Sequence, residues 1–160
     1  MNVTIDVIND SNAAALPSTD QLQLWAEAVV EHMAPLPKPV TVGLRIVDEN
    51  EGAAINRSYR ERDYATNVLS FGSELPEVML EALDEIPLGD LVICAPVVAR
   101  EALEQDKALD AHWAHMLVHG LLHLQGFDHE TDDQADTMEA LETRILAGLG
   151  FDNPYRLEHQ

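Results

Sequence analysis

His119-Gly120-Leu121-Leu122-His123-Leu124-Gln125-Gly126-Phe127-Asp128-His129 sets three histidines at spacings of four and six, with a glycine between the second and third. A helix over the first part puts His119 and His123 about one turn apart on one face, their rings converging on one point. Gly126 is free to take the left-handed conformation that ends a helix, so the chain can turn back and deliver His129 to the same point. Three imidazoles with an open position describe a catalytic zinc-type site, because structural sites usually close with four ligands.

The flanks support that reading. The helix extends back to about Leu109, and at 100 degrees per residue His112, His115, His119 and His123 all fall within roughly 80 degrees of arc. Since the site is already supplied, His112 and His115 read as outer partners or partly exposed residues. A further helix, about Asp132 to Ala147, has Asp132 and Asp133 at its positive N-terminus and ends at Gly148 and Gly150. Upstream, Gly89 to Cys94 is apolar on both faces and reads as a buried strand, and Pro96 suits the first turn of a helix running to about Asp106.

The earlier chain alternates in the same manner. Val3, Ile5 and Val7 have the period-two pattern of a half-buried strand. Ser18 or Thr19 caps a helix to about Met33, with Leu22, Trp25, Ala26 and Val29 on its apolar face. Pro35, Pro37 and Pro39 end it; His32 lies near that end, where an imidazole suits the helix dipole. Val40 to Val47 is a second strand, Asp48 caps a short helix to about Arg57, Arg60 to Asn67 is a polar loop, and Val68 to Phe71 is a short strand. The acidic segment Glu74 to Glu85 reads as a loop or a frayed helix. The order β-α-β-α-β-β-α-α-α predicts an α+β fold: one domain over 1–160, with a small mixed four-stranded sheet packed with about five helices.

Composition narrows the chemistry. The 160 residues suffice for one core without staples, and 46% hydrophobic and 24% charged residues are ordinary for a globular protein. Cys94 is the only cysteine, which excludes an intrachain disulfide and reads as a small buried residue. There is no apolar run of membrane-spanning length and no basic-then-apolar leader at the N-terminus, so the expectation is a cytoplasmic protein without a membrane partner. The formal charge of −20 argues against a surface that coats nucleic acid. Charge is nevertheless segregated: Arg45, Arg57, Arg60 and Arg62 share one window, whereas Glu74 to Asp90 and Asp128 to Glu142 hold no Lys or Arg.

The histidine spacing also occurs in the zinc-protease signature H-E-x-x-H-x-x-G-x-x-H, whose glutamate is the general base. Here Gly120 takes that place, which disfavours peptide hydrolysis. A metal combined with an arginine suits a phosphodiester, where charge develops on phosphoryl oxygens.

With these residues in view, the chain resembles the bacterial YbeY family of metal-dependent endoribonucleases. The signature H-G-x-L-H-L-x-G-[FY]-D-H runs without a gap from His119 to His129. Asn56-Arg57-Ser58-Tyr59-Arg60 with Asp63 to Phe71, and Gly89 to Cys94, form two further matching blocks. The resemblance implies that His119, His123 and His129 bind a zinc-like ion, and that Arg60 lies at the active cleft. It implies single-strand-specific RNA cleavage, 16S rRNA 3′-end maturation and late quality control of 70S ribosomes. The implied partners are ribosomal RNA, the small ribosomal subunit and its assembly proteins.

Several roles stay open. His119 and Arg60 are the candidate catalytic residues. Arg60 suits bidentate phosphate binding, or else a structural ion pair. Arg57 and Arg62 read as solvated or backbone-steering cations. Asp128 orients a histidine or accepts a proton, the first being favoured. Tyr64 and Phe71 could stack a base, with core packing the better reading for Phe71. Three neutral imidazoles suit zinc, nickel, copper or iron. A non-catalytic assembly factor with a structural metal, and a metalloprotease, are the competing functions.

Overall fold

The computed structural model describes residues 3–33, 36–60 and 66–155, apart from the side chain of Arg60. The elements run β1 (Val3–Asn9), α1 (Thr19–Glu31), β2 (Val40–Val47), α2 (Glu49–Arg60), β3 (Val68–Gly72), α3 (Glu77–Ala82), β4 (Ile86–Cys94), α4 (Ala95–Glu104), α5 (Leu109–Leu124) and α6 (Asp132–Gly148). The strands form one mixed sheet in the order β1-β2-β4-β3. β1, β2 and β4 are parallel, and β3 pairs antiparallel with β4. The expected four-stranded α+β architecture is therefore the observed one. β4 has a strand on each side, and its Leu91, Ile93 and Cys94 are buried.

Six helices are described against the five expected. The sixth is α3, six residues within the acidic segment and with no buried residue. With nothing apolar to bury, its sequence offers no period to read. Lys38 holds its end instead, its Nζ donating to the carbonyls of Leu80, Glu81 and Leu83 at 3.3, 2.7 and 2.7 Å. A second adjustment is α2, which continues past Arg57 to Arg60. Arg62 and Tyr64, named above, lie outside the described residues, as does Pro35.

One face of the sheet carries the main core. Val40, Val42, Leu44 and Ile46 of β2, with Leu91 and Ile93 of β4, are buried against Leu22, Trp25, Ala26 and Val29 of α1 and against α5. α5 is the organising helix: it touches α1, α4, α6, β3 and β4, and Trp113, Ala114, Leu117, Val118, Leu121 and Leu122 are all buried. Each such side chain fully withdrawn from water contributes about 1.5–3 kcal/mol. The opposite face is covered only in part, by α2 and α4. Phe71 lies there, half-buried and edge-on to Tyr59 with ring centroids 5.0 Å apart, outside the core to which the sequence assigned it. Cys94 is buried, as expected, and burial pushes its thiol pKa up.

Two local devices deliver α5 to the site. At its C-terminus the Gly126 amide donates to the His123 carbonyl (3.0 Å) and the Phe127 amide to that of Leu122 (3.2 Å), while Gly126 has φ +99°. This is the paired hydrogen-bond pattern of a glycine-terminated helix, which only a positive φ allows. In the middle of α5, Gly120 lies on the sheet: a Cβ there would come within 2.9 Å of Leu91 Cδ2 and 3.1 Å of Val68 Cγ2. The absent side chain lets α5 approach β3 and β4, and Ser70 Oγ donates to the Gly120 carbonyl across that contact at 3.2 Å.

Candidate metal centre

The three histidines of the opening stretch meet. One ring nitrogen from each of His119, His123 and His129 falls within a group whose atoms are all within 4.8 Å of one another. The two from α5 have ring centroids 4.6 Å apart; His129 lies 5.6 Å from His119 and 5.1 Å from His123. His119 and His123 are half-buried and His129 is exposed. They border a cleft of about 660 Å3, to which α2 contributes Asn56, the approach to β3 contributes Thr66 and Asn67, and β3 contributes Ser70.

The donor set fits a transition-metal ion, and proton positions are the test. His119 Nδ1 is hydrogen-bonded to Glu142 Oε1. Burial alone pushes the Glu142 carboxyl up. Hydrogen bonds from His115 and His119, and the charge of those rings, outweigh it and hold the carboxyl down at about 2. The carboxylate is thus ionised at neutral pH and only accepts, so His119 donates from Nδ1 and a neutral ring leaves Nε2 bare. That Nε2 is 3.0 Å from His123 Nε2. Burial first, then the neighbouring His119 and His129, lowers the His123 pKa, so its neutral form is favoured. Neutral imidazoles with lone pairs turned to one point are what a divalent ion requires.

Behind this group is a network that the sequence did not disclose. Glu142 is fully buried on α6. Its Oε2 accepts from His115 Nε2 at 3.2 Å and from the Tyr155 hydroxyl. His115 and His112 are both buried, not partly exposed, and His115 shares the Glu142 carboxylate with His119. His112 Nε2 donates to Glu101 Oε1 at 2.9 Å, and Glu101 also accepts from Asn67 Nδ2 at 3.0 Å. A signal for Glu142 was present: Met138, Ile145 and Leu146 are one helical turn away and buried, so a glutamate interrupts the apolar stripe of α6. Tyr155 had no such signal, since it follows the last helix.

The remaining candidates fall as follows. Asp128 does not touch an imidazole in the way expected. Its Oδ1 accepts from the backbone amide of His129 at 2.8 Å, so it shapes the turn that presents His129. Asp128 charge also bears on His123 and opposes the lowering of its pKa. Arg45 is paired with Asp10 (2.7 Å) and Glu51 (3.1 Å). Arg60 closes α2 four residues after Asn56, a residue of the cleft. His32 Nδ1 donates to the Ala28 carbonyl (2.9 Å) at the end of α1, a local role in keeping with its position. The protease alternative loses its structural basis: the position of the missing glutamate faces Leu91 and Val68, with no room for a side chain.

Comparison with known proteins agrees with this geometry. The family model described as Endoribonuclease YbeY matches residues 6–150. A protein named Endoribonuclease YbeY from Xanthomonas axonopodis pv. citri is 53% identical over 146 residues, covering 91% of this chain and 89% of its own. Another of that name from Cellvibrio japonicus is 53% identical over 152 residues, covering 94% and 82%. The solution structure of TM1509 from Thermotoga maritima superposes with a TM-score of 0.55 at 21% identity, over 91% of each chain, a likeness of fold. On the strength of the family match and these relatives, the chain belongs to the YbeY family of endoribonucleases.

Proposed function

We propose that this protein is a single-domain, metal-dependent endoribonuclease that cuts single-stranded RNA, acting in 16S rRNA 3′-end maturation and late 70S quality control. The observation that carries the reading is the convergence of His119, His123 and His129 at a cleft with polar residues of α2 and β3 on its border. His119, His123 and His129 hold the ion, with zinc the first choice for three imidazoles and nickel an alternative. A bound ion supplies Lewis acidity at a phosphoryl oxygen and makes water a stronger acid.

The residues of the chain do the rest. The hydrogen bond from His119 Nδ1 fixes which nitrogen faces the cleft. Asp128 fixes the turn that presents His129. Arg60, at the end of the helix that brings Asn56 to the cleft, binds the scissile phosphate through its planar fork and offsets the charge of the transition state. The exposed His129 leaves the third side of the group open to a strand from solvent. Single strands fit such a site because an unpaired backbone can bend into a cleft. Ribosomal RNA, the small subunit and its assembly proteins are the proposed partners, in the cytoplasm; no helix among the described residues is long and apolar enough to cross a membrane.

Zinc-loaded protein should cleave a single-stranded RNA and spare the same sequence in a duplex. Arg60→Ala should lower cleavage while zinc binding is retained, and His119→Ala should abolish both. Undiminished cleavage by His119→Ala would refute the assignment. With a net charge of −20 working against RNA, cleavage should fall steeply as salt rises if the arginines make phosphate contacts.

A further inference from the structure

We infer that Glu142, clamped by His115 and Tyr155, is the positioning residue that sets His119 for metal binding, and that the segment after α6 is thereby part of the metal centre. The inference rests on the reading of His119 as a ligand. Three observations support it. Glu142 is fully buried, and its two oxygens are divided: Oε1 serves His119, and Oε2 serves His115 and Tyr155. A carboxylate held at both oxygens cannot swing away, so the ring that donates to it is fixed in tautomer and in rotation. His115 in turn is held edge-on to the Tyr155 ring, with centroids 5.3 Å apart, and its Nε2 lies 3.2 Å from the Tyr155 hydroxyl.

The third observation is how Tyr155 arrives. Beyond α6, Phe151 packs edge-on against Trp25 of α1 at 6.0 Å, Pro154 is buried, and the Tyr155 amide donates to Asn153 Oδ1 at 2.8 Å. The segment is therefore anchored in the core on one side and turned by Asn153 on the other. α5, α6 and this segment meet at one carboxylate. Glu142 contacts neither cleft nor solvent, so it acts through His119 and not on substrate.

Two measurements test this. Nitrogen NMR of the metal-free wild type at neutral pH should show His119 protonated at Nδ1 and bare at Nε2; the reverse tautomer would overturn the inference. Zinc should then be titrated against a chromophoric chelator with wild type, Glu142→Gln and Tyr155→Phe. Glu142→Gln should weaken zinc binding by about 10–100-fold, the range for loss of an outer partner, and Tyr155→Phe should fall between it and wild type. Metal-free Tyr155→Phe should melt somewhat below wild type, having lost one donor to a buried carboxylate, so zinc affinities are compared at a temperature where both are fully folded, which separates positioning from a merely structural role. Zinc affinity within twofold of wild type in both variants would overturn the inference while leaving the ligand assignment intact. If Glu142→Gln does not fold, Tyr155→Phe decides alone on the same criterion. A wild type that binds no zinc would instead bring down the ligand assignment, and this inference with it.

Discussion

His119 belongs to two triads at once. Toward the cleft it stands with His123 and His129, and toward the interior with His115 and Glu142; both groups bring their ligand atoms within 4.8 Å. By distance alone either could hold an ion. They differ in where the protons are. In the inner triad both imidazoles are hydrogen-bonded to one buried carboxylate, which occupies the middle of the group. In the outer triad the Nε2 atoms of His119 and His123 face each other at 3.0 Å and one member is exposed. Proximity marks both as candidates; proton inventory and access choose between them.

The largest effects should come from breaking the residue they share. His119→Ala removes a proposed ligand and one of the donors to a buried carboxylate, so RNA cleavage should drop to background and stability should fall by about 1–3 kcal/mol. His129→Ala removes a proposed ligand from the outer triad alone. Its zinc affinity should fall by about a hundredfold or more, beyond the loss of an outer partner, with stability changed by no more than about 0.5 kcal/mol, as for an exposed site. Denaturant titrations of the metal-free variants separate the two. A large loss of stability in His129→Ala would contradict the division.

Gly120→Ala tests the support beneath both triads. Helix propensity favours alanine by about 1 kcal/mol, whereas the added methyl meets Leu91 and Val68 in a filled core, at about 1–3 kcal/mol. The second effect should win, giving a net loss of up to about 2 kcal/mol in urea unfolding.

His112 should show up as a pH effect. Burial lowers its pKa, partly opposed by the hydrogen bond to Glu101, while Lys107 and His115 add to the lowering. The unfolded chain therefore takes up this proton first as pH falls. The stability linked to His112 is complete above about pH 6.5, the ordinary value for a free imidazole, and is lost as pH drops toward the folded value. His112→Gln keeps a donor for Glu101 without the titration. Between pH 7 and 5 its melting temperature should decline less than that of wild type.

The smallest effect compares two like caps. Ser18 and Thr131 both form a capping box with a glutamine three residues on. Ser18→Ala and Thr131→Ala should each cost about 1 kcal/mol. Only Thr131→Ala, two residues from His129, should also weaken zinc binding, which calorimetry would detect.

Much of the fold was legible because burial writes a period into the sequence. β2 runs Val40 to Val47 as expected, and α5 and α6 end within a residue or so of the predicted points. Ser18 is the cap and Gly126 the turn. What escaped lacks a period or depends on distant chain. α3 buries nothing. Phe71 sits in a strand whose two faces meet different surroundings, and sequence cannot say which face α5 covers. The outer triad was legible because its members are ten residues apart at most. Glu142 and Tyr155 were not, since no local spacing links them to His119; only the packing of α6 on α5 does. The signal that Glu142 did leave, a charge on an apolar stripe, reads equally as a helix edge until its partners are known.

The close seat of α5 on the sheet also limits what this histidine triad can become. In a zinc protease the residue after the first histidine is a glutamate reaching toward the metal. Here that position is pressed against side chains of β3 and β4, so a single exchange at Gly120 would have to move Leu91 and Val68 or the helix that carries two of the three histidines. The spacing of the ligands is shared between the two chemistries, but the floor beneath them is not. In this fold, passage from one to the other requires rebuilding the contact between helix and sheet before any new base can be installed.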